Sequence, residues 1–240
     1  MVFDLTMSSV AKVSMTGYVE DMLKEVGTSK GARTPATEGL FDVRPDAAVA
    51  TEEQRVTFHR HVAKMLYLSK RARPDCLTAV AFLATRVTKC TTDDLAKLDR
   101  LMRYVWATRE RGIVFAPGTK GIIVSILIDA AYGVHPDGKS HTGSCIVIGE
   151  RGAVHCKSAK QQIVTKSSTE AELVALSDSA NQAFTRQKLY LRSRTLMRAC
   201  DDLSRQHVLY GAHRARAVSG GAHKAHLHQI LLAQGASGHG

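Results

Sequence analysis

The order of apolar and polar residues divides the chain into a strand-and-helix start, a helical block and a strand-rich second half. Residues 1–27, MVFDLTMSSVAKVSMTGYVEDMLKEVG, read as two short strands running into an amphipathic helix. Residues 28–55 are rich in Gly, Pro, Thr, Ala and charge, and read as a long connector. From Glu52 the period becomes helical, with Phe58, Val62, Met65, Leu66 and Leu68 on one face. This run stops at Arg73-Pro74, because the residue before a proline is pushed out of the helical region. A second helix, Cys76 to about Val87, is apolar nearly all round and is expected to be buried. A third starts near Thr92 or Asp93, with Leu95, Leu98, Leu101, Met102 and Val105 at helical spacing. Pro117-Gly118 closes the helical block.

Beyond it, GIIVSILIDAAYG is a β-branched run suited to a central strand, and Pro136-Asp137-Gly138 is a turn signal. TGSCIVIG forms a second strand and GAVHCKSAKQQ a weaker third, followed by a long helix from about Ser168. HVLY near Val208 supplies strand material again. Three antiparallel strands, a long helix and a further strand make an α/β layer architecture. After Tyr210 the pattern dissolves into Ala, Gly, His, Arg and Ser.

Composition supports a folded chain. At 240 residues and 44% hydrophobic content the chain can bury a core, and with 5% aromatics that core falls to Val, Leu, Ile, Ala and Met. No apolar run reaches the roughly 18 residues of a membrane span. The first residues lack a basic segment followed by an apolar one, so no secretory signal is expected. The expected location is intracellular, cytoplasmic or nuclear. Five cysteines, odd in number and without a C-x-x-C pair, set up neither a disulfide framework nor a four-ligand zinc site. Their plain reading is idle thiols.

Charge changes the picture only locally. Lys and Arg total 33 against 22 Asp and Glu, a net charge of +11 that suits a polyanionic partner. From Asn181 onward nine basic residues stand against Asp201 and Asp202, so the last quarter holds +7 of that +11.

Two carboxylates are the candidate chemistry. Asp129 lies inside SILIDAAYG, where an unpaired carboxylate is costly to bury. Taken alone, such a residue is more often structural. Glu172 lies in SSTEAELVAL, which holds overlapping capping boxes, Ser167 with Glu170 and Thr169 with Glu172. The local expectation is that one of these glutamates only caps the helix. Their layout suggests more: a strand Asp and a Glu in the first turn of the following helix can converge on divalent cations. With one or two further carboxylates, such a pair holds two Mg²⁺ about 4 Å apart for phosphodiester hydrolysis. Between them, Gly133 to Ser140 satisfies G-x-x-x-x-G-K-[ST], the phosphate-cradling loop of nucleotide hydrolases. That motif needs a helix to start at Lys139-Ser140, whereas the pattern there predicts a strand, and Pro136 removes an amide. His223, His226 and His228 lack Cys or acidic company and read as a basic tail.

These strings resemble a known family. FHRHVAKMLYLSKRARPDCLTAVAFLATRVTK and LMRYVWATRERGIVF look like the segment after the reverse-transcriptase palm in copia-type LTR retrotransposon polyproteins. IDAAYGVHPDGKSHTGSCIVIG through SAKQQIVTKSSTEAELVAL is similar to the RNase H domain of the same polyproteins. The resemblance runs from about Met1 to about Ala183. It implies an RNase H-like mixed sheet preceded by a small, mostly helical subdomain. The expected division is a reverse-transcriptase remnant and linker over 1–50, a helical connection subdomain over 51–117, an incomplete RNase H-like domain over 118–210, and a disordered tail over 211–240.

The resemblance further implies Mg²⁺-dependent hydrolysis of RNA in an RNA–DNA hybrid, with Asp129 and Glu172 as catalytic metal ligands. Lys160, Gln161, Ser167 and Ser168 match motif positions for shaping the site or contacting nucleic acid, and Arg186 opens a basic helix face running to Arg198. Two departures matter, the first for DNA synthesis and the second for hydrolysis. The polymerase Asp-Asp signature is missing: Asp93-Asp94 starts a helix, and Asp201-Asp202 follows Ala-Cys. The strand that carries the family's third metal carboxylate reads HVLYGAH, with no Asp. Asp178 lies six residues after Glu172, on another helix face, and is a poor substitute. A non-catalytic nucleic-acid-binding module is the alternative.

The tail suggests how the missing motif was lost. Permitted codons for AHKAHLHQILLAQGAS, shifted by one base, spell RTKRISTRYFLLKER, close to the family's missing "RTKHIxIRYxxxxE" segment. The expectation is that residues from Gly211 onward are translated out of frame after a small deletion. Sequencing the gene around codon 210 tests it, because the shifted frame must spell that string in the actual codons.

Overall fold

A computed structural model of the protein describes residues 1–5, 10–24, 31–116, 124–149 and 151–192. In chain order these form strands β1 (Val2–Asp4) and β2 (Ala11–Ser14), then helices α1 (Thr16–Lys24), α2 (Glu52–Arg71), α3 (Leu77–Thr85) and α4 (Thr92–Ala107). Strands β3 (Gly112–Phe115), β4 (Val124–Ala131), β5 (His141–Ile148) and β6 (Ala153–Lys160) follow, and α5 (Ser168–Arg192) closes the described fold. The result is a mixed α/β architecture of two three-stranded antiparallel sheets and five α-helices, compatible with an RNase H-like fold.

Local chemistry sets the helix limits. At the start of α2 the Thr51 hydroxyl accepts the Gln54 amide and the Gln54 side chain accepts the Thr51 amide, a reciprocal capping box. Thr91 and Asp94 form the same device at α4. Phe58, Val62, Met65 and Leu68 of α2 are buried against α3 and α4, through Val80, Phe82, Leu83, Leu98, Leu101 and Val105. Val19, Met22 and Leu23 of α1 join this core. So do Leu40 and Phe41 from the connector, which lie in a short 3-10 turn, Glu38–Phe41.

A buried ion pair ties the helices at one corner. Arg73, 2% exposed, donates from Nε and Nη2 to Asp75, with the Nη2–Oδ2 contact at 2.8 Å. The Tyr104 hydroxyl of α4 donates to the same Asp75 oxygen at 2.8 Å. Arg73 also reaches the Thr108 carbonyl at 2.9 Å and its hydroxyl at 2.6 Å, just past the end of α4. Arg73 and its neighbours hold the Asp75 carboxyl below the usual carboxylate range despite its burial.

One element differs from the sequence expectation. GIVF, taken as the end of the helical block, is strand β3, pairing with β2 through Ala11–Phe115 to Ser14–Gly112. The turn at Thr108–Glu110 ends α4, and the β-branched run after it returns along β2.

The second sheet has the order β4-β5-β6, with β5 in the middle. Helix α5 lies on one face, where Ala130, Ala171 and Ala175 form a small-residue contact that brings helix and strand close. Helix α3 meets the sheet at β6, where the Ser158 hydroxyl donates to Thr78 at 3.4 Å. Among the described residues no helix is long and apolar enough to cross a membrane. The expected strand near Val208 and the tail 211–240 lie outside the described residues, as do His223, His226 and His228.

Removing one charge from the buried corner leaves the other uncompensated, at a cost of about 3–5 kcal/mol. Asp75→Asn is therefore expected to lower unfolding free energy by about 3 kcal/mol in urea titrations. The Arg73→Met, Asp75→Leu double variant should lose clearly less than the single one.

Candidate functional site

Asp129 sits near the end of β4, half-buried, and pairs across the sheet with Gly143 of β5, which in turn pairs with Ser158 of β6. Gly143 places no side chain beside the carboxylate on that face. Glu172 lies one turn into α5, next to Ala171 of the small-residue contact. Closeness there lets Glu172 reach the strand. The Ala130 amide donates to Asp129 Oδ1 at 3.0 Å and to Glu172 Oε1 at 3.2 Å. One backbone N–H thus gathers two carboxylates that stand 43 positions apart in the chain.

The competing capping roles separate cleanly. Ser167 Oγ accepts the Glu170 amide at 3.2 Å, and Glu170 accepts the Lys166 amide at 2.7 Å. Glu170 therefore belongs to the helix end, and Glu172 to the strand.

Asp129 Oδ2 is buried and has no hydrogen-bond partner among the described residues. A buried carboxylate oxygen is costly unless a donor or a cation meets it. Mg²⁺ is commonly held by one or two carboxylates, with water and substrate phosphate completing its shell. Asp129 and Glu172, which share the Ala130 amide, are the residues that could hold such an ion. A two-ion site needs more carboxylates. Among the described residues no group of three or more His, Cys, Asp or Glu could hold a metal. Asp178 is exposed and faces Lys157 at 3.6 Å.

The expected nucleic-acid contacts are placed differently from one another. Lys160 Nζ pairs with Asp137 Oδ2 at 2.7 Å. Gln161 is buried and donates to Thr142 Oγ1 at 3.1 Å and to the Ala171 carbonyl at 2.9 Å, pinning the start of α5 to β5. Ser167 caps α5 and Ser168 is exposed at its first position. Arg186 lies within α5.

The Gly133–Ser140 segment is a turn, not a phosphate loop. Gly133 and Gly138 take φ of 59° and 73°, and β5 starts at His141 where a helix N-terminus is required. The Ser140 hydroxyl accepts the Gly133 amide at 3.1 Å and meets Thr165 Oγ1 at 3.0 Å, so it is used within the turn. The nucleotide-hydrolase reading lacks its structural basis.

Sequence reasoning missed a buried histidine pair flanking this turn. His135 Nε2 and His141 Nδ1 are 2.9 Å apart, and His141 Nε2 lies 2.6 Å from Ser158 Oγ. Phe41 packs on both rings, each centroid 5.2 Å away, which docks the connector onto the second sheet. Two histidines bracketing a Pro-Asp-Gly turn were the available signal. Burial, and the nearby Lys160 charge, lower the His135 pKa to about 4. Burial, and His135 itself, lower that of His141 to about 3.

Comparison with known proteins supplies the relatives. The chain is similar to the truncated transposon Ty1-A Gag-Pol polyprotein of Saccharomyces cerevisiae, 25% identical over 159 residues, or 62% of this chain and 13% of that polyprotein. It is also similar to the transposon Ty1-JR2 and Ty1-ER2 Gag-Pol polyproteins of the same yeast. Each is 24% identical over 154 residues, covering 60% of this chain and 8% of the polyprotein. The chain thus spans only a small part of the relatives it matches. No family model matches it, and no solved structure matches it. Its homologues are copia-type Gag-Pol polyproteins, as the motifs imply.

Because both imidazoles are held neutral by burial, the unfolded chain binds protons that the folded one refuses. Stability from this pair is complete above the ordinary histidine value of 6.5 and is lost as pH falls toward about 4 for His135 and about 3 for His141. Urea midpoints are expected to fall over that window, and His135→Gln is expected to flatten the slope.

Proposed function

We propose that this chain is a fragment of a copia-type reverse transcriptase/RNase H polyprotein that retains the hybrid-binding framework of an RNase H-like domain but is impaired in cleavage. The observation that carries this reading is the convergence of Asp129 and Glu172 on the Ala130 amide. Similarity to Gag-Pol polyproteins gives it context. In the proposed division, residues 51–117 form the connection subdomain and 118–210 the incomplete RNase H-like domain.

Bound Mg²⁺ supplies charge neutralisation at the scissile phosphate and lowers the pKa of an attacking water. Asp129 offers its unpartnered Oδ2, and Glu172 shares the ligand role from α5. Gln161 fixes the first turn of that helix, so it holds Glu172 in place without touching the reacting atoms. Two carboxylates would hold one ion, and among the described residues no larger group of His, Cys, Asp or Glu would hold the second ion of in-line phosphodiester hydrolysis. Cleavage is therefore weak or absent, while the fold and the charge still suit a nucleic-acid backbone.

The test uses the purified chain and a labelled RNA–DNA hybrid with Mg²⁺. Binding is expected to weaken at least about tenfold between about 50 and about 200 mM salt, as counterion release requires. Little or no RNA cleavage should accompany it. Robust Mg²⁺-dependent cleavage lost on Asp129→Asn overturns the impairment. Failure to bind hybrid at low salt overturns the reading as a whole.

A further inference from the structure

Cys145 of β5 and Cys156 of β6 face each other directly across the antiparallel pair. Their sulfurs are 3.1 Å apart, and both thiols are free. Cys145 is buried with Val147 and Ala153, while Cys156 is half-buried at the edge of this cluster. We infer that these two cysteines form an oxidisable pair, which a peroxide converts into a cross-strand disulfide within the chain.

Backbone geometry already meets the requirement. Directly opposed residues in antiparallel strands have Cα atoms about 4.5–5.5 Å apart, inside the disulfide range of about 4.4–6.8 Å. The sulfurs need to close by about 1 Å to reach a bonded distance near 2.05 Å. The strand register shifts immediately beyond the pair, between Ile146 and Val147, and such a bulge adds the local twist that lets two side chains turn toward each other. The other described cysteines, Cys76 and Cys90, lie in the helical core, apart from this pair.

The chemistry balances with hydrogen peroxide as oxidant. One thiol, after losing its proton, attacks a peroxide oxygen. The O–O bond breaks, and the departing oxygen takes a proton to leave as water. The sulfenic acid so formed is attacked by the second sulfur, which has also lost its proton. The S–S bond forms as the S–O bond breaks, and the leaving hydroxide takes that proton as water. Two thiols are oxidised by two electrons in total, and one peroxide is reduced to two waters. The linkage lies two residues from Gly143, the partner of Asp129, and so staples the sheet beside the carboxylate pair.

The whole chain serves for the test, without any variant that must fold. Purified protein is treated with hydrogen peroxide, denatured, and its free thiols are counted and its peptides mapped under non-reducing conditions. The expected result is a fall from the five cysteines of the chain to three titratable thiols, with one linked peptide pair joining Cys145 to Cys156. A thiol reductant should restore all five. Retention of all five thiols, oxidation of single cysteines without a link, or a link to any other cysteine overturns the inference. Cys145→Ser provides a second check, since it should abolish the linked pair, and a disulfide persisting at Cys156 counts against it.

Discussion

The Arg73–Asp75 ion pair is the constraint on which the rest of the architecture leans. Charges this deeply buried are costly, and they are tolerated only when their hydrogen-bonding capacity is filled. Here Arg73, just past the end of α2, and Asp75, just before α3, fill each other's capacity, and Tyr104 and Thr108 at the end of α4 complete it. Satisfying one guanidinium therefore fixes where three helices meet. Arg111, donating to the Tyr104 hydroxyl at 3.1 Å, carries the same network to the threshold of β3. Because α3 is then pressed on β6, the position of the second sheet follows from this corner.

A second constraint acts at the site, and it is one of size. Ala130, Ala171 and Ala175 are all small, and only small residues let α5 approach β4 closely enough for Glu172 to reach a strand amide. Larger side chains in that contact separate helix and strand, and with them the two carboxylates. Two anionic groups that share a single donor repel each other. On the proposed function, a cation between them would relieve that repulsion. The alanine contact creates the need, and the buried Asp129 oxygen marks where it is felt.

Much of this was legible from the order of residues. Apolar spacing gave α2 and α4, the β-branched run gave β4, and the SSTEAEL string placed Glu172 at the head of a long helix. Three things were not legible, each for a stated reason. The GIVF strand follows a helix without an intervening proline, so its β character shows only in its pairing with β2. The choice between Glu170 and Glu172 as the capping residue cannot be made locally, because both satisfy a capping box, and it is decided by the strand amide that Glu172 meets. The histidine pair depends on Phe41, contributed by a stretch that reads as loose connector but packs as core.

Charge pairing bears on how the proposed function would meet a polyanion. Two basic side chains of β6 are already engaged: Lys160 with Asp137, and Lys157 with Asp178. The Lys160 pair is close enough to hold the Asp137 carboxyl below the ordinary range. A phosphate arriving there must displace a carboxylate before it gains a cation, and exposed pairs of this kind yield at little cost, about 0–1 kcal/mol. Such exchange tunes contact without supplying much affinity. The larger excess of positive charge lies in the sequence from Asn181 onward, and charge of that kind acts at longer range. On the proposed function, the sheet would offer the ligands and the basic run that follows them in the sequence would draw a phosphate backbone toward them.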